Sequence, residues 1–287
     1  MKTLHDITQH ATFRYVDHTK EMTFQDRPYT AATSFAIDDA IATAVSRHTA
    51  PPTMRLWVHP HTVVLGIPDT RVPYLNEGIK LLHDAGYHVI VRNSGGLAVV
   101  LDEGILNISL ILPNMGRISI YDSYEAMVTF VQKMLKDVTD HIEAYEIVGS
   151  YCPGDYDLSI NGRKFAGISQ RRIKDAAAVQ IYLDVNGDSK KRAQLIRDFY
   201  RIAIKGEKTK FTYPHVDPNK MASLTELIGQ TVTVDEMIHR AKSTLQDVSE
   251  ELVEGGLSAS EMETFDYRIG MMEKRNEKIQ QILNDKV

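Results

Sequence analysis

The chain has 287 residues, of which 43% are hydrophobic and 25% are charged, and its formal net charge at pH 7 is -5. This composition is typical of a globular protein with a substantial core, while the negative charge argues against general nucleic-acid binding. No apolar run is long enough to predict a membrane span, and the first residues lack the apolar stretch of a secretory signal. With its single cysteine, the chain is expected in a reducing compartment, the cytoplasm.

The N-terminal half is expected to contain an arm, two helices and β-rich segments. Residues 1–32 show no clear period. Residues 33–46 predict an amphipathic helix that ends before two prolines, and residues 76–85 predict a second helix that Gly86 terminates. Strands are expected at residues 55–58, 62–67, 89–92, 97–101 and 105–112.

A hairpin is the clearest local signal in the second half. Asn161-Gly162 stands between two strand-like runs, residues 157–160 and 163–168, and suits a two-residue type I′ turn. A strand candidate at residues 145–148 precedes this hairpin, and another at residues 178–183 follows it.

Helix-start patterns divide the rest of the chain. Residues 122–125 resemble a capping box that opens a helix to about residue 138, and Asp188 can cap a helix that ends before Gly206. Beyond Pro214 only helices are expected, with box-like starts at residues 223–226, 233–236 and 258–261. The chain is therefore expected to divide into an N-terminal arm, an α/β domain and a helical C-terminal extension packed on that domain, at residues 1–32, 33–213 and 214–287.

Cys152 is the only cysteine, and its neighbourhood does not look like core. It lies in a turn-prone stretch, residues 149–155, just before the hairpin. A lone thiol can neither close an internal disulfide nor build a cysteine metal cluster, so Cys152 is either a small buried hydrophobe or a nucleophile. Lys164 follows twelve residues later, and a nearby cation favours the reactive thiolate. The pair is the main catalytic candidate.

Spacing alone does not bring Cys152 and Lys164 together. With a two-residue turn, Lys164 lies opposite Ser159, and Cys152 is seven residues further from the turn. At about 3.3 Å per residue, an extended strand would carry the thiol roughly 23 Å away. Pro153-Gly154 must therefore fold residues 149–155, the cysteine loop, back over the sheet.

A second segment, residues 92–99, places two adjacent glycines after a strand. Such glycines let the backbone approach a ligand closely or supply a turn, and Arg92 could hold a carboxylate, phosphate or carbonyl. The segment matches neither a Walker loop nor a dinucleotide fingerprint. By itself it is either a ligand-binding loop or an ordinary hairpin connector.

Three motifs in order resemble the lipoate–protein ligase and octanoyltransferase family. Residues 92–109, with Arg92-x-Ser94-Gly95-Gly96-x-Ala98-Val99 and Leu106-Asn107-x-Ser109, look like its lipoyl-binding signature. Lys164-x-x-Gly167-x-Ser169-Gln170 is similar to its second signature, and residues 55–66 to its N-terminal strand pair. The resemblance spans about residues 33–185 and implies a biotin/lipoate protein ligase-like α/β (α+β) fold, with a mixed, largely antiparallel sheet flanked by helices. It implies substrate-binding roles for Arg92, Ser94, Gly95, Gly96, Leu97, Ala98, Asn107, Gly167, Ile168 and Ser169.

The detailed residue sequence of the motifs resembles that of the amidotransferase branch of this family. Residues 149–154 and 166–172 carry that likeness, which runs the whole chain. Leu97 replaces a third glycine and Leu101 a histidine usual in the ligases, and both argue against an adenylate-forming reaction. The resemblance implies transfer of octanoyl from the glycine-cleavage H protein to lipoyl domains of 2-oxo acid dehydrogenases, in lipoate biosynthesis. Three alternatives stay open: an octanoyl-acyl carrier protein:H protein octanoyltransferase, an ATP-dependent lipoate–protein ligase, and a non-enzymatic binder of lipoylated domains.

The implied chemistry is a ping-pong transfer through an acyl-thioester on Cys152. Aminolysis of that thioester runs downhill, so neither ATP nor another cofactor is expected, and no metal. Lys164 is expected to favour the thiolate and to donate to the acyl carbonyl, with backbone N–H groups near Gly95 and Gly96 completing the oxyanion site. Candidates for the apolar acyl slot are Leu97, Val99, Ile108, Leu110 and Ile168.

Partner docking is expected to use a local basic patch, because lipoyl carriers are typically acidic and this chain is itself net acidic. The alternative for each residue is an ordinary solvated surface charge. One candidate patch is Arg163, Arg171, Arg172 and Lys174, and a second is Lys190, Lys191 and Arg192.

Overall fold

The computed structural model describes residues 10–284 as strands and helices around a large central sheet. The strands are β1 (His10–His18), β2 (Thr23–Phe24), β3 (Arg27–Pro28), β4 (Thr53–Trp57), β5 (Thr62–Leu65), β6 (His88–Val91), β7 (Val99–Leu101), β8 (Ile105–Pro113), β9 (Glu143–Ala144), β10 (Leu158–Ile160), β11 (Arg163–Ile173), β12 (Ala176–Asp184) and β13 (Ser249–Glu254). The α-helices are α1 (Ala31–Ser46), α2 (Leu75–Asp84), α3 (Ile120–Met134), α4 (Ser189–Ile204), α5 (Leu224–Ile228), α6 (Val234–Gln246) and α7 (Ala259–Asn284).

The central sheet is largely antiparallel. Its order is β13-β1-β4-β8-β12-β11-β10-β9, and every neighbouring pair from β4 to β9 is antiparallel. Only the two pairs that involve β1 are parallel in this sheet. A smaller sheet, β6-β5-β7, stands apart from it. The predicted fold class, a mixed and largely antiparallel sheet flanked by helices, is confirmed.

The side chains of β8 point alternately into two hydrophobic cores. Leu106, Ile108 and Leu110 join the core that contains residues of α3 and α6, whereas Ile105 and Ile111 join the core shared with α1, the small sheet, α2, α4 and α7. Asn107 and Ser109 have the parity of the second set, because successive strand residues point to opposite faces. This parity decides which residues of β8 can reach a site beside α1.

The helix predicted at residues 33–46 forms, but the prediction that it is amphipathic is wrong. Nearly every residue of α1 is buried. The helix packs on the central sheet, and the small sheet and the C-terminal helix α7 also cover it. Its N-cap is Thr30, which forms a reciprocal capping box with Thr33.

Three other local expectations differ from the structure. The segment without a clear period contains β1, which lies inside the central sheet between β13 and β4; residues 1–9 of the expected arm lie outside the described residues. The portion beyond Pro214 is not helical only, because β13 pairs with β1. Residues 145–148 form no strand, and β9 ends just before them. The three-part domain division remains a prediction.

Turn and cap chemistry accounts for most of the correct boundaries. Asn161 and Gly162 both have positive φ, at 52° and 70°, as a type I′ turn requires. The predicted caps form at Asp188, Ser223 and Thr233. The box that opens α3 lies one turn earlier than expected, with Ser119 as its N-cap. No helix of residues 10–284 is long and apolar enough to cross a membrane.

Candidate active site

The thiol of Cys152 is held by two hydrogen-bond donors from the loop after β6. The backbone N–H of Leu97 donates to Sγ at an N···S distance of 3.1 Å, and Nη2 of Arg92 donates at 3.5 Å. Cys152 is half-buried and has a φ of 46°, a left-handed conformation that is uncommon for a residue with a side chain. Its placement is therefore set by the surrounding contacts rather than by local preference.

The Gly-Gly step of that loop lets the arginine and the thiol approach the backbone. Gly96 has a φ of 97°, and a Cβ there would lie 2.3 Å from Nη2 of Arg92 and 3.0 Å from Sγ of Cys152. Nη2 of Arg92 also donates to the carbonyl of Leu97 at 2.8 Å. By contrast, a Cβ at Gly95 would meet nothing within 4 Å. Gly96 is thus the glycine that the geometry requires.

A buried carboxyl group supports the loop that contains Gly95 and Gly96. Asp69 accepts hydrogen bonds from the N–H of Gly66 at 2.7 Å and from the hydroxyl of Tyr200 at 2.8 Å. Gly66 in turn packs directly on Gly96, since a Cβ at Gly66 would lie 1.9 Å from the Gly96 carbonyl oxygen. Burial raises the pKa of Asp69 to about 6. None of these supporting contacts gives a motif in the sequence.

Lys164 lies beneath the cysteine loop and is fully buried. Its Nζ donates to the carbonyls of Tyr151 at 3.0 Å and Cys152 at 2.8 Å. The predicted pairing of Lys164 with Ser159 is confirmed. So is the folding back of the loop, because β10 begins only at Leu158. Within the described residues, however, the cation that hydrogen-bonds Sγ is Arg92, whereas Lys164 holds the backbone.

Asp157 is the partner of Lys164 that sequence reasoning missed. Its Oδ1 lies 2.8 Å from Nζ of Lys164, and both side chains are almost completely buried. Its Oδ2 accepts from the N–H of Ile147 at 3.3 Å and the hydroxyl of Ser150 at 3.4 Å. Burial raises the pKa of Asp157, and the positive charge of Lys164 opposes that shift. The carboxylate thus ties both ends of the cysteine loop to one ammonium group.

A cavity of about 310 Å³ opens beside Cys152. Seven of the predicted substrate-binding residues line it: Arg92, Gly95, Gly96, Asn107, Gly167, Ile168 and Ser169. Ser94, Leu97 and Ala98 do not line it; Leu97 instead contributes its N–H to the thiol. The side chains on the cavity wall that sequence reasoning missed, for want of a spacing signal, include Phe35, Trp57, Tyr124, Tyr156, Gln180 and Tyr182.

Two of the five residues predicted for the acyl slot lie at this cavity, and the slot itself remains a prediction. Val99 and Ile168 line the cavity. Ile108 and Leu110 were wrong, because their position in β8 directs them into the core under α3 and α6. Asn107, the residue of opposite parity, reaches the cavity instead.

The polar groups of the cavity wall are held by a network behind it. Gln180 donates to Oδ2 of Asp38 at 2.6 Å, and Asp38 forms a buried ion pair with Arg55 at 2.7 Å. Asn107 donates to the carbonyl of Trp57 at 3.2 Å. Because buried polar groups that are hydrogen-bonded hold fixed positions, the wall is preformed rather than adaptable.

The two predicted basic patches are largely consumed by internal contacts. Arg171 pairs with Asp39 at 3.2 Å, and Arg163 pairs with Glu226. Arg192 is buried between Asp102 and Asp184, so it cannot belong to a surface patch. Arg172 is exposed but donates to the carbonyls of Met115 at 2.9 Å and Ile118 at 2.8 Å. The other members are exposed, namely Lys174, Lys190 and Lys191. Within residues 10–284, no group of three or more His, Cys, Asp or Glu side chains could hold a metal ion.

Solved structures share this fold at low sequence identity. A lipoate-protein ligase A bound with ATP superposes with a TM-score of 0.68 at 16% identity, covering 91% of this chain and 94% of that one. A bipartite lipoate protein ligase from Thermoplasma acidophilum gives a TM-score of 0.66 at 18% identity, covering 96% and 98%. At these identities the likeness establishes the fold alone.

Sequence relatives are much closer. The chain is 55% identical over 277 residues to the octanoyl-[GcvH]:protein N-octanoyltransferase of Oceanobacillus iheyensis, covering 96% of this chain and 99% of that protein. It is 45% identical over 268 residues to the lipoyl-[GcvH]:protein N-lipoyltransferase of Listeria monocytogenes, covering 93% and 95%. The profile of the lipoyl protein ligase A/B catalytic domain matches residues 30–246. With this match and the near full-length relatives, the family predicted from the motifs is confirmed: the chain belongs to the lipoyl protein ligase A/B catalytic domain family.

Proposed function

We propose that this protein is an N-octanoyltransferase. It takes an octanoyl group from the octanoylated glycine-cleavage H protein and transfers it to the lysine of lipoyl domains of 2-oxo acid dehydrogenases. The single observation that carries the proposal is the thiol of Cys152 at the wall of a cavity, with two donors on its sulfur. The names of the near full-length relatives support the donor and the acyl group. A cytoplasmic location remains a prediction.

The first half-reaction transfers the acyl group to sulfur. The thiolate of Cys152 attacks the amide carbonyl of the octanoylated lysine, the C–N bond breaks as the lysine nitrogen takes up a proton, and a C–S bond forms. In the second half-reaction the amine of the acceptor lysine attacks the thioester, loses a proton and displaces the thiolate. An amide is consumed and an amide is made, so the balance requires no ATP.

Two groups around Sγ are placed to stabilise charge in these steps. The Leu97 N–H and the Arg92 guanidinium already donate to the sulfur, so they stabilise the thiolate before attack and after displacement. Preorganised donors of this kind act strongly in a site shielded from water. Arg92, rather than Lys164, is therefore the cation that we assign to the sulfur.

Lys164 acts on the cysteine loop as a positioning residue. Its ammonium group is engaged by the Asp157 carboxylate and by the carbonyls of Tyr151 and Cys152. An ammonium has three donors, and four acceptors surround this one, because Oγ of Ser150 also lies 3.4 Å from Nζ. Donation to the acyl carbonyl, the second role expected from the sequence, would need one of these contacts to break.

The cavity suits a medium-length acyl chain. Its volume of about 310 Å³ falls at the lower end of the range of small-molecule sites, roughly 300–1,000 Å³. Val99, Leu101 and Phe35 supply apolar wall, while Arg92 and Cys152 mark the reacting end. A lipoyl group is the second candidate cargo, supported by the name of the Listeria monocytogenes relative.

Intact mass measurement of the purified protein tests the proposal. Incubation with octanoylated H protein should add one octanoyl group to the parent protein and none to Cys152→Ala. Addition of an apo lipoyl domain should then remove the adduct and octanoylate that domain. An adduct formed from octanoyl-acyl carrier protein but not from the H protein would replace the proposed donor. The absence of an adduct from either donor would overturn the thioester mechanism.

A further inference from the structure

The C-terminal helix α7 reaches the strand that leads into the active site. Asn276 of this helix is buried, and its side-chain amide faces the backbone of Val91, the last residue of β6. The N–H of Val91 donates to Oδ1 of Asn276 at 2.7 Å, and Nδ2 of Asn276 donates back to the Val91 carbonyl at 3.2 Å. The amide therefore takes the place of a neighbouring strand at the edge of the small sheet, where β6 would otherwise leave these groups unpaired.

This contact holds the end of β6 in place. Nδ2 of Asn276 also donates to the carbonyl of Met272 in its own helix at 2.9 Å, which fixes the rotamer of the amide. On the other side of the strand, the N–H of Arg92 donates to the carbonyl of Leu65 in β5 at 2.9 Å. The backbone at residues 91 and 92 is thus clamped between α7 and β5.

The clamp lies one residue from the cation that contacts the nucleophile. Arg92 follows Val91 directly, and its guanidinium must lie within reach of both the Leu97 carbonyl and the sulfur of Cys152. The Arg92–sulfur hydrogen bond is 3.5 Å long. A small rotation at the end of β6 would break it, because functional contacts tolerate displacements of only about 0.5 Å.

We propose that Asn276 is a positioning residue for the nucleophile: by bridging α7 to Val91 it aims Arg92 at the thiol of Cys152. The role for acyl transfer rests on the proposed function, but the effect on the thiol itself does not. The active site is then built partly by a helix that contributes no side chain to the cavity beside Cys152.

Alkylation of Cys152 by iodoacetamide tests this proposal without any acyl donor. Because the chain has one cysteine, the rate constant reports that thiol alone. Asn276→Ala should lower the rate at pH 7 by about fivefold, the equivalent of one net hydrogen bond, and should move the pH profile of alkylation to higher pH. Lys274→Ala, on the exposed face of the same helix, is the control and should react like the parent protein.

A double-mutant cycle separates positioning from general destabilisation. If Asn276 acts through Arg92, then Asn276→Ala should have little further effect in an Arg92→Ala background. Local loosening would instead expose the thiol and speed its alkylation. Asn276→Asp keeps an acceptor for the Val91 N–H but places a carboxylate oxygen against the carbonyls of Val91 and Met272, so it should react no faster than Asn276→Ala.

Three results would overturn the proposal: alkylation of both Asn276 variants at the parent rate, faster alkylation of either, or full additivity with Arg92→Ala. Urea unfolding of each variant establishes that the folded state is populated during the assay. A normal alkylation result for the Asn276 variants, combined with failure to form an acyl adduct in the parent protein, would instead count against the proposed function.

Discussion

The ammonium of Lys164 and the carboxylate of Asp157 form an ion pair, 2.8 Å long, that is buried under the cysteine loop. Both residues support the loop backbone as well as each other, Lys164 through two carbonyls and Asp157 through an amide N–H and a hydroxyl. Such a pair contributes little net stability by itself, but the loss of one partner is costly because the other charge stays buried.

Lys164→Met should therefore lower the free energy of unfolding by about 3–5 kcal/mol and abolish acyl transfer. Adding Asp157→Asn should recover part of the stability, since the orphaned charge is gone, but no activity. Urea unfolding and the acyl-adduct assay measure the two effects. Arg163→Met is the control, because its half-exposed pair with Glu226 should be worth no more than about 1 kcal/mol. Equal stability losses for Lys164→Met and the control would contradict the assignment.

Arg92→Lys should impair acyl transfer although the charge is kept. A lysine presents a compact ammonium in place of the planar fork that reaches both the Leu97 carbonyl and the sulfur. We expect kcat/KM to fall by on the order of 10²-fold, as for loss of one oxyanion donor. Arg47→Lys, at an exposed residue just after α1, should retain parent activity. Parent activity in Arg92→Lys would argue that only the charge matters.

Gly96→Ala should damage the site more than the fold. The new Cβ would displace the Arg92 guanidinium and press on the thiol, and the positive φ adds backbone strain of about 1–3 kcal/mol. Acyl-adduct formation should drop by about 10²-fold, as expected for misplacement of reacting groups. Gly86→Ala is the control for backbone strain, because Gly86 has a φ of 86° and a Cβ there would meet nothing within 4 Å. Comparable losses in the two variants would show that general destabilisation, rather than this contact, is what matters.

Asp69→Asn should change how stability depends on pH. Burial raises the pKa of Asp69 from 3.8 to about 6, so the folded chain holds this proton more tightly than the unfolded chain. Its contribution to stability is therefore present below pH 3.8 and is lost as the pH rises through about 6. Between these limits the variant should gain on the parent protein by up to about 3 kcal/mol, at 1.4 kcal/mol for each pH unit.

Urea unfolding of Asp69→Asn and the parent protein at pH 4 and pH 7 measures that gain. Asp266→Asn, on an exposed face of α7, provides the comparison and should track the parent protein at both pH values. A difference between Asp69→Asn and the parent protein that is the same at both pH values would mean that Asp69 does not hold its proton in the folded chain.

Sequence reasoning succeeded where the information is local. The turn at Asn161-Gly162 and the N-caps at Ser223 and Thr233 depend on residues within a few positions, and the ordered motifs identified the family. The return of the Cys152 loop could also be predicted, because an extended strand would have carried the thiol away from Lys164.

The rest depends on contacts between distant segments. Ile108 was placed in the acyl slot because an apolar residue on a strand gives no sign of which face the cavity occupies. Asp157 and Asn276 looked like ordinary polar residues, since their partners become neighbours only in the folded chain. Lys164 was assigned to the thiol by its charge alone, whereas hydrogen-bond geometry gives that contact to Arg92.

The position of β1 has a consequence for how the chain is made. β1 pairs on one side with β4 and on the other with β13, so that His10 lies beside Ser249. As the ribosome releases the chain from the N-terminus, β1 can find β4 early but keeps an open edge until β13 has emerged. An open strand edge is prone to pairing with other chains, and contacts so far apart in sequence form slowly. Nascent chains that stall before β13 should therefore be the ones that aggregate or recruit chaperones.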